Sequence, residues 1–278
     1  ASKSAEILVF NNSTGSGGII NSGSIAGRIG GIYIDSTSSI DSIANTGVIQ
    51  GGTLSGVTYS GDALHLSNTA SGFVIDNSGT LLGNANIGIN TLMISGNSSD
   101  INGTVFGSGA VTVSGSFTNN QSEFNVGSFN VANGGVLNDV NTITASGGFT
   151  NSGIVQLSSV SASIDGDFVQ SATGALGFQA DGATTSGILE VTGSGTVDGT
   201  LHVRFSSDTS TVSGSYELMT ATRGISASTT TVETNSAYYQ ATATVVGSNE
   251  LIMNTSSVIP ACPGSVSGVN IGTCIVAF

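Results

Sequence analysis

Apolar residues in this chain come in short runs separated by Ser, Thr, Asn and Gly. Where the alternation is cleanest, as in Val111-Thr112-Val113 and Ser161-Ala162-Ser163-Ile164, one apolar side chain is followed by one polar side chain. That is the period of a strand with one buried face. Each run is closed by Gly, Asn or Asp, the residues that supply turn conformations.

The runs fall into repeating units. One motif reads Asn, Ser or Thr, Gly, any residue, then an aliphatic. It occurs at Asn21-Ser22-Gly23-Ser24-Ile25, Asn45-Thr46-Gly47-Val48-Ile49 and Asn77-Ser78-Gly79-Thr80-Leu81, with a weaker copy at Asn102-Gly103-Thr104-Val105. A second glycine follows each, at Gly27, Gly51, Gly83 and Gly107. The steps from Gly23 to Gly47 and from Gly79 to Gly103 are 24 residues, and the step from Gly47 to Gly79 is 32. This predicts a unit of 24 with one insertion of 8. Between motifs, Gly31-Ile32-Tyr33-Ile34 holds the place later taken by Ala63-Leu64-His65-Leu66 and Leu92-Met93-Ile94. Each unit thus offers about three short strands.

A unit this small cannot bury its own apolar face, so units must stack. The predicted fold is all-β: a right-handed parallel β-solenoid with Ile25, Ile49, Leu81 and Val105 in one inward column. The corner asparagines are placed to form hydrogen-bonded ladders between rungs. In the middle of the chain the repeated element becomes Gly, a small or polar residue, then Phe. It recurs at Phe117, Phe129, Phe149 and Phe168, at intervals of 12, 20 and 19, and reads as shorter rungs with Phe in the core. About nine rungs at roughly 4.8 Å would give a stack on the order of 45 Å long. From about residue 188 the runs lengthen, as in Gly199-Thr200-Leu201-His202-Val203-Arg204-Phe205. The expected organisation is an N-terminal strand or cap over 1–14, the solenoid over 15–187, a β-rich cap over 188–255, and a cysteine loop with a terminal strand over 256–278.

Composition supports this and removes several functions. The chain has 278 residues, 41 of them Gly, and only 8% are charged. Lys, Arg and Glu, which coat exposed helix faces, are scarce. The net charge is −13, and the cations are Lys3, Arg28, Arg204 and Arg223 alone. Four cations do not neutralise a phosphate backbone, which argues against nucleic acid, and anionic membrane surfaces repel such a chain. No apolar run is long enough to span a membrane as a helix. Cys262 and Cys274 stand close enough for a local disulfide formed in an oxidising compartment.

The Asn-Ser-Gly-x-Ile-x-Gly units resemble the passenger β-helix of bacterial autotransporters. The stretch from Gly187 to Met253 is similar to the autochaperone segment that ends such passengers. It carries Leu189-Glu190-Val191, Val197-Asp198-Gly199-Thr200-Leu201, Tyr216-Glu217-Leu218-Met219-Thr220 and Ala237-Tyr238-Tyr239. The resemblance covers about residues 15 to 253 and implies a secreted or cell-surface location on the outer-membrane exterior. It departs from the family after residue 253, where the cysteine loop stands in place of a linker helix and membrane-barrel strands.

Catalytic patterns are thin. The two histidines, His65 and His202, alternate with aliphatics and are expected to point outward, without the Ser and Asp partners of a protease. Asp35 with Asp41, and Asp165 with Asp167, pair carboxylates as polysaccharide-cleaving enzymes do, but no basic partner is expected near any of them. No calcium-binding repeat and no zinc-ligand spacing is present, and no cofactor is expected. What remains is surface. The leading expectation is a non-enzymatic subunit that polymerises head to tail through its apolar ends, Ile7-Leu8-Val9-Phe10 and Ile275-Val276-Ala277-Phe278. The alternatives are an adhesin for glycans or host surfaces, and, below it, a polysaccharide-acting enzyme.

Overall fold

The computed structural model describes residues 7–9, 13–15, 17–27, 30–54, 57–58, 61–67, 72–119, 122–138, 140–157, 161–181, 184–185, 187–205, 214–235 and 239–257. Each turn of the chain visits three faces in the same order. Gly30–Ile34, Ser42–Asn45 and Val48–Gln50 form one rung. Asp62–Leu66, Val74–Asn77 and Thr80–Leu82 form the next, followed by Asn84–Gly88, Thr91–Ile94 and Asp100–Asn102. Strands of one face pair in parallel with their equivalents above and below. The product is a parallel β-solenoid with a long sheet of 12 strands, a second sheet of 10, and a third face divided into sheets of 4 and 7. No helix occurs among the described residues.

Alternation along each strand sends every second side chain into the interior. On the long sheet Ile32, Leu64, Ala85, Val105, Phe124 and Ile143 stack rung upon rung and are all buried. On the third face the column is Ile25, Ile49, Leu81 and Ile101. The fourth member is therefore Ile101, not Val105, which belongs to the long sheet. The rung carrying Ile101 is shorter than the first units, so the Asn-Gly pair at Asn102-Gly103 is a turn between faces and not the fourth copy of the motif. Leu92-Met93-Ile94 likewise lies on the second sheet, in register with Ile75, Asp76 and Asn77. The place below Ala63-Leu64-His65-Leu66 is filled by Asn84–Gly88. The insertion of eight residues takes a definite form: Thr53–Leu54 and Val57–Thr58 pair antiparallel, as a small hairpin thrown out of the second unit.

The first three units are held by a polar spine inside the apolar core. The Asn21 amide donates to Asn45 Oδ1 at 2.7 Å, and the Asn45 amide donates to Asn77 Oδ1 at 2.7 Å. Asn45 also donates to the Thr80 carbonyl at 3.3 Å. These three are buried, so each bond forms away from competing water and each missing partner would be an orphan. The glycine two residues on is required by packing. A methyl group on Gly47 would overlap the backbone carbonyl of Gly23, and one on Gly79 would overlap that of Gly47. Replacing Asn45 with Ala is expected to lower stability by about 2 kcal/mol, because it leaves the Asn77 carbonyl and one Asn21 donor short of a partner. Chemical denaturation checks this against Asn125→Ala on an exposed strand position, expected to change stability by less than about 0.5 kcal/mol.

In the central rungs the asparagine column passes through Ile94, Val113 and Val131 and returns to buried amides at Asn151 and Gln170, bonded at 3.2 Å, and the column beside it is aromatic. Phe129, Phe149 and Phe168 occupy one register of the second sheet. Phe117 does not belong to this column. It sits on the third face, in register with Leu137. Its interval of 12 to Phe129 is a step between faces of the stack, while 20 and 19 are steps between rungs. Parallel stacking continues past residue 187, through Leu189–Val191, Gly195–Val197 and Gly199–Phe205 to a last turn of Ser215–Ala221, Ile225–Ser226 and Thr230–Thr234. There the direction changes. Tyr239–Val246 and Glu250–Ser257 form an antiparallel hairpin that pairs with Ser215–Ala221 and ends the long sheet.

Candidate functional site

The third face carries an outward row in strict register: Thr118, Asn138, Gln156, Gly177, His202 and Glu233. In Phe117-Thr118, Leu137-Asn138, Val155-Gln156 and Leu201-His202 the preceding aliphatic or aromatic residue is buried, so the polar partner must face out. The strands lengthen where the row meets Gly177. Val136–Asn138 and Ile154–Gln156 have three residues, whereas Ala175–Asp181 and Gly199–Phe205 have seven. The longer strands run past the shorter ones and wall an open groove of about 780 Å³. Gln179 and Arg204 pair across that extension. Asn235 closes its far side by accepting from the Phe205 amide at 2.8 Å and donating to the Phe205 carbonyl at 3.1 Å. Within the groove His202 Nδ1 lies 3.2 Å from a Glu233 carboxylate oxygen. The Gln156 amide extends over Gly177, where a methyl group would overlap it.

A smaller cleft of about 280 Å³ lies at a corner beside Asp165, Asp167, Thr192 and Arg223. The expectation that no cation stands near these carboxylates is corrected here. Successive rungs place the Gly193 amide on the Gly166 carbonyl and the Arg223 amide on the Gly193 carbonyl, both at 3.0 Å. Arg223 thereby comes within electrostatic range of Asp167 across a wide gap in sequence. Each carboxylate acts as a clamp between rungs. Asp165 accepts from the Thr192 hydroxyl at 2.7 Å, and Asp167 accepts from the Ser194 amide at 2.7 Å and its hydroxyl at 2.9 Å. The Ser194 amide and hydroxyl, followed by the charge of Arg223, hold the Asp167 carboxyl below its ordinary value. Asp198 is lowered by the hydroxyls of Thr229 and Ser228. Asp41 repeats the pattern by accepting from the Gly17 amide at 2.8 Å. Asp35, its expected pair, instead accepts from the Thr37 amide and hydroxyl two residues on.

The histidines lie on different faces. His65 stacks on Tyr33 with ring centroids 4.8 Å apart, as their register on the long sheet requires, and its Nδ1 is 2.7 Å from an Asp62 carboxylate oxygen. Among the described residues no three His, Cys, Asp or Glu side chains gather into a possible metal site. Of the apolar N-terminal segment, Ile7–Val9 forms the first strand of the long sheet, with Ile7 opposite Ile32, Leu8 opposite Tyr33 and Val9 opposite Ile34. Ile7 packs against the core. Phe10, both cysteines, Ile275, Val276 and Phe278 lie outside the described residues.

Comparison of the chain with protein-family models, with curated proteins and with solved structures finds no match.

Proposed function

We propose that this chain is a non-enzymatic structural solenoid of the bacterial exterior that associates end to end with copies of itself, as a subunit of a surface filament or matrix. One observation carries the reading: every face of the described stack ends in a strand with only one neighbour. At the first rung these strands are Ile7–Val9 on the long sheet, Ile19–Asn21 on the second and Ser24–Ala26 on the third. At the other end the long sheet stops at Tyr239–Val246, a strand of eight residues. Such edges are templates for a further strand, and a head-to-tail contact that does not close grows into a filament. The first rung is suited to continuation. Its Asn21 carbonyl begins the asparagine ladder and accepts from the Gly23 amide, with capacity for one more donor. Ile20 on its flank is 85% exposed.

The exterior location in this reading is supported by the order of the passenger-like motifs and by a composition rich in Ser, Thr, Asn and Gly. The absence of enzymatic activity is part of the same reading, since Asp165, Asp167 and Asp198 each bind the rung above and the two histidines stand on separate faces. The expected result is that purified chain forms regular polymers visible by negative-stain microscopy. Deletion of residues 1–10 should abolish them while the circular dichroism stays that of a folded β protein, and Ile20→Lys should weaken them. A chain that stays monomeric at every concentration rejects the reading. So do polymers that form unchanged after separate deletion of 1–10 and 275–278.

A further inference from the structure

We infer that the groove on the third face binds a neutral, linear polysaccharide, laid across the strands and along the axis of the stack. The site is complete within one chain, so the inference does not depend on assembly.

Direction comes from register. Asn138, Gln156, His202 and Glu233 face out at equivalent positions of successive rungs, each separated from the next by roughly 4.8 Å per rung. A line of polar groups repeating at that pitch suits an extended polymer with regularly repeated polar groups of its own, and a compact ligand would engage only part of it. The groove is within the size range of small-molecule sites, at about 780 Å³.

Chemistry comes from the side chains. Asn138 and Gln156 in the row and Gln179 and Asn235 beside it bring four amides to the groove, and an amide presents donors and an acceptor together. A sugar hydroxyl is also both donor and acceptor, so the two match without fixing a single orientation. Charge argues against ionic polymers. Among the described residues Arg204 is the one cation lining the groove and Glu233 the one anion, with His202 beside it. A polyanion would approach a chain of net charge −13 with one guanidinium to receive it, and a polycation would find one carboxylate already next to an imidazole.

Gly177 sets the shape. It interrupts the row between Gln156 and His202, and what covers it is the far end of the flexible Gln156 side chain. When that amide swings aside, the gap becomes a recess one residue wide, bounded by His202 and open to a sugar ring. The same geometry makes Gly177 replaceable. The atoms nearest to a new side chain there all belong to the end of the flexible Gln156 side chain, and Val is favoured in a strand. Gly177→Val therefore fills the recess while keeping the fold.

The test is calorimetric titration of the full chain with neutral hexasaccharides of β-1,4-glucose, β-1,3-glucose and β-1,4-N-acetylglucosamine. Hexagalacturonate and the glucosamine hexamer serve as charged comparators. At least one neutral hexamer is expected to bind, more tightly than either charged one. Gly177→Val and Gln156→Ala should each weaken that binding by about tenfold or more with an unchanged thermal midpoint, and Asn125→Ala on the long sheet should leave it as it was. Should Gly177→Val not fold, Gln156→Ala decides. The inference is overturned if no neutral hexamer binds, if a charged hexamer binds more tightly than all the neutral ones, or if the folded groove variants bind as well as the parent.

Discussion

Replacing Ile49 with Asp is expected to unfold the N-terminal rungs. Ile49 is fully buried, stacked between Ile25 and Leu81 on the third face. Its Cγ2 also fills the space above Gly31, at 2.5 Å from where that residue's first side-chain carbon would stand. An aspartate there exchanges packed methyl groups for a carboxylate with aliphatic side chains on both sides. Unpaired buried charge costs roughly 3 to 5 kcal/mol, and the lost packing adds to it. That total is a large part of the stability of an ordinary domain. Because each rung is supported only by its neighbours, the damage should spread to the rungs carrying Ile25 and Leu81 before the Phe-lined centre. The same substitution one residue earlier is the control: Val48 points to the other side of the strand and is only half-buried, so Val48→Asp should stay soluble and folded. Hydrogen exchange resolved along the chain distinguishes the two. Soluble Ile49→Asp protein with normal protection across residues 19 to 102 would mean that the column is misassigned.

Much of this architecture could be read from the sequence because the rungs touch through backbone. Gly47 is obligatory where it lies against Gly23, and its asparagine partner bonds to the rungs on both sides. A motif forced by contact between turns repeats at the length of a turn, so the interval of 24 was visible, as was the hairpin, as eight surplus residues. The outward placement of His65 and His202 followed from alternation alone.

The reading failed where turns change length. Asn102-Gly103 has the composition of the repeat but sits at a tightened corner, which moved Val105 to a different face from Ile25 and Ile49. Phe117 shares a motif with Phe129 because both follow a corner glycine, although the two corners belong to different faces. Arg223 comes near Asp167 across two rungs of unequal length, and no local pattern marks that proximity. The groove was hidden for the same reason. Its members are in register in space, but the intervals between Asn138, Gln156, His202 and Glu233 follow no constant period.

A second large effect is expected at Phe149. Its ring is fully buried and lies 5.0 Å from Phe129 at an interplanar angle of 9°, and 5.5 Å from Phe168 at 37°. Phe149→Ala removes the middle ring of this column and leaves a cavity bounded above and below by rings whose own rungs are fixed by backbone pairing. Collapse into that space would require three rungs to lose their spacing, so little relaxation can offset the loss. Truncation of a buried Phe costs about 3 to 5 kcal/mol, and two ring pairs that each contribute roughly 0.5 to 1.5 kcal/mol put this site toward the upper end. Phe149→Leu keeps most of the volume and should cost less than half as much, which separates the cavity from the loss of aromatic contact. In a stack where stability passes from neighbour to neighbour, a weak central rung also uncouples the two halves. Denaturation of Phe149→Ala should then separate into two steps, with the asparagine-laddered rungs and the hairpin-capped rungs melting independently. A single transition shifted by less than about 1 kcal/mol would show that the ring column is not what holds the two halves together.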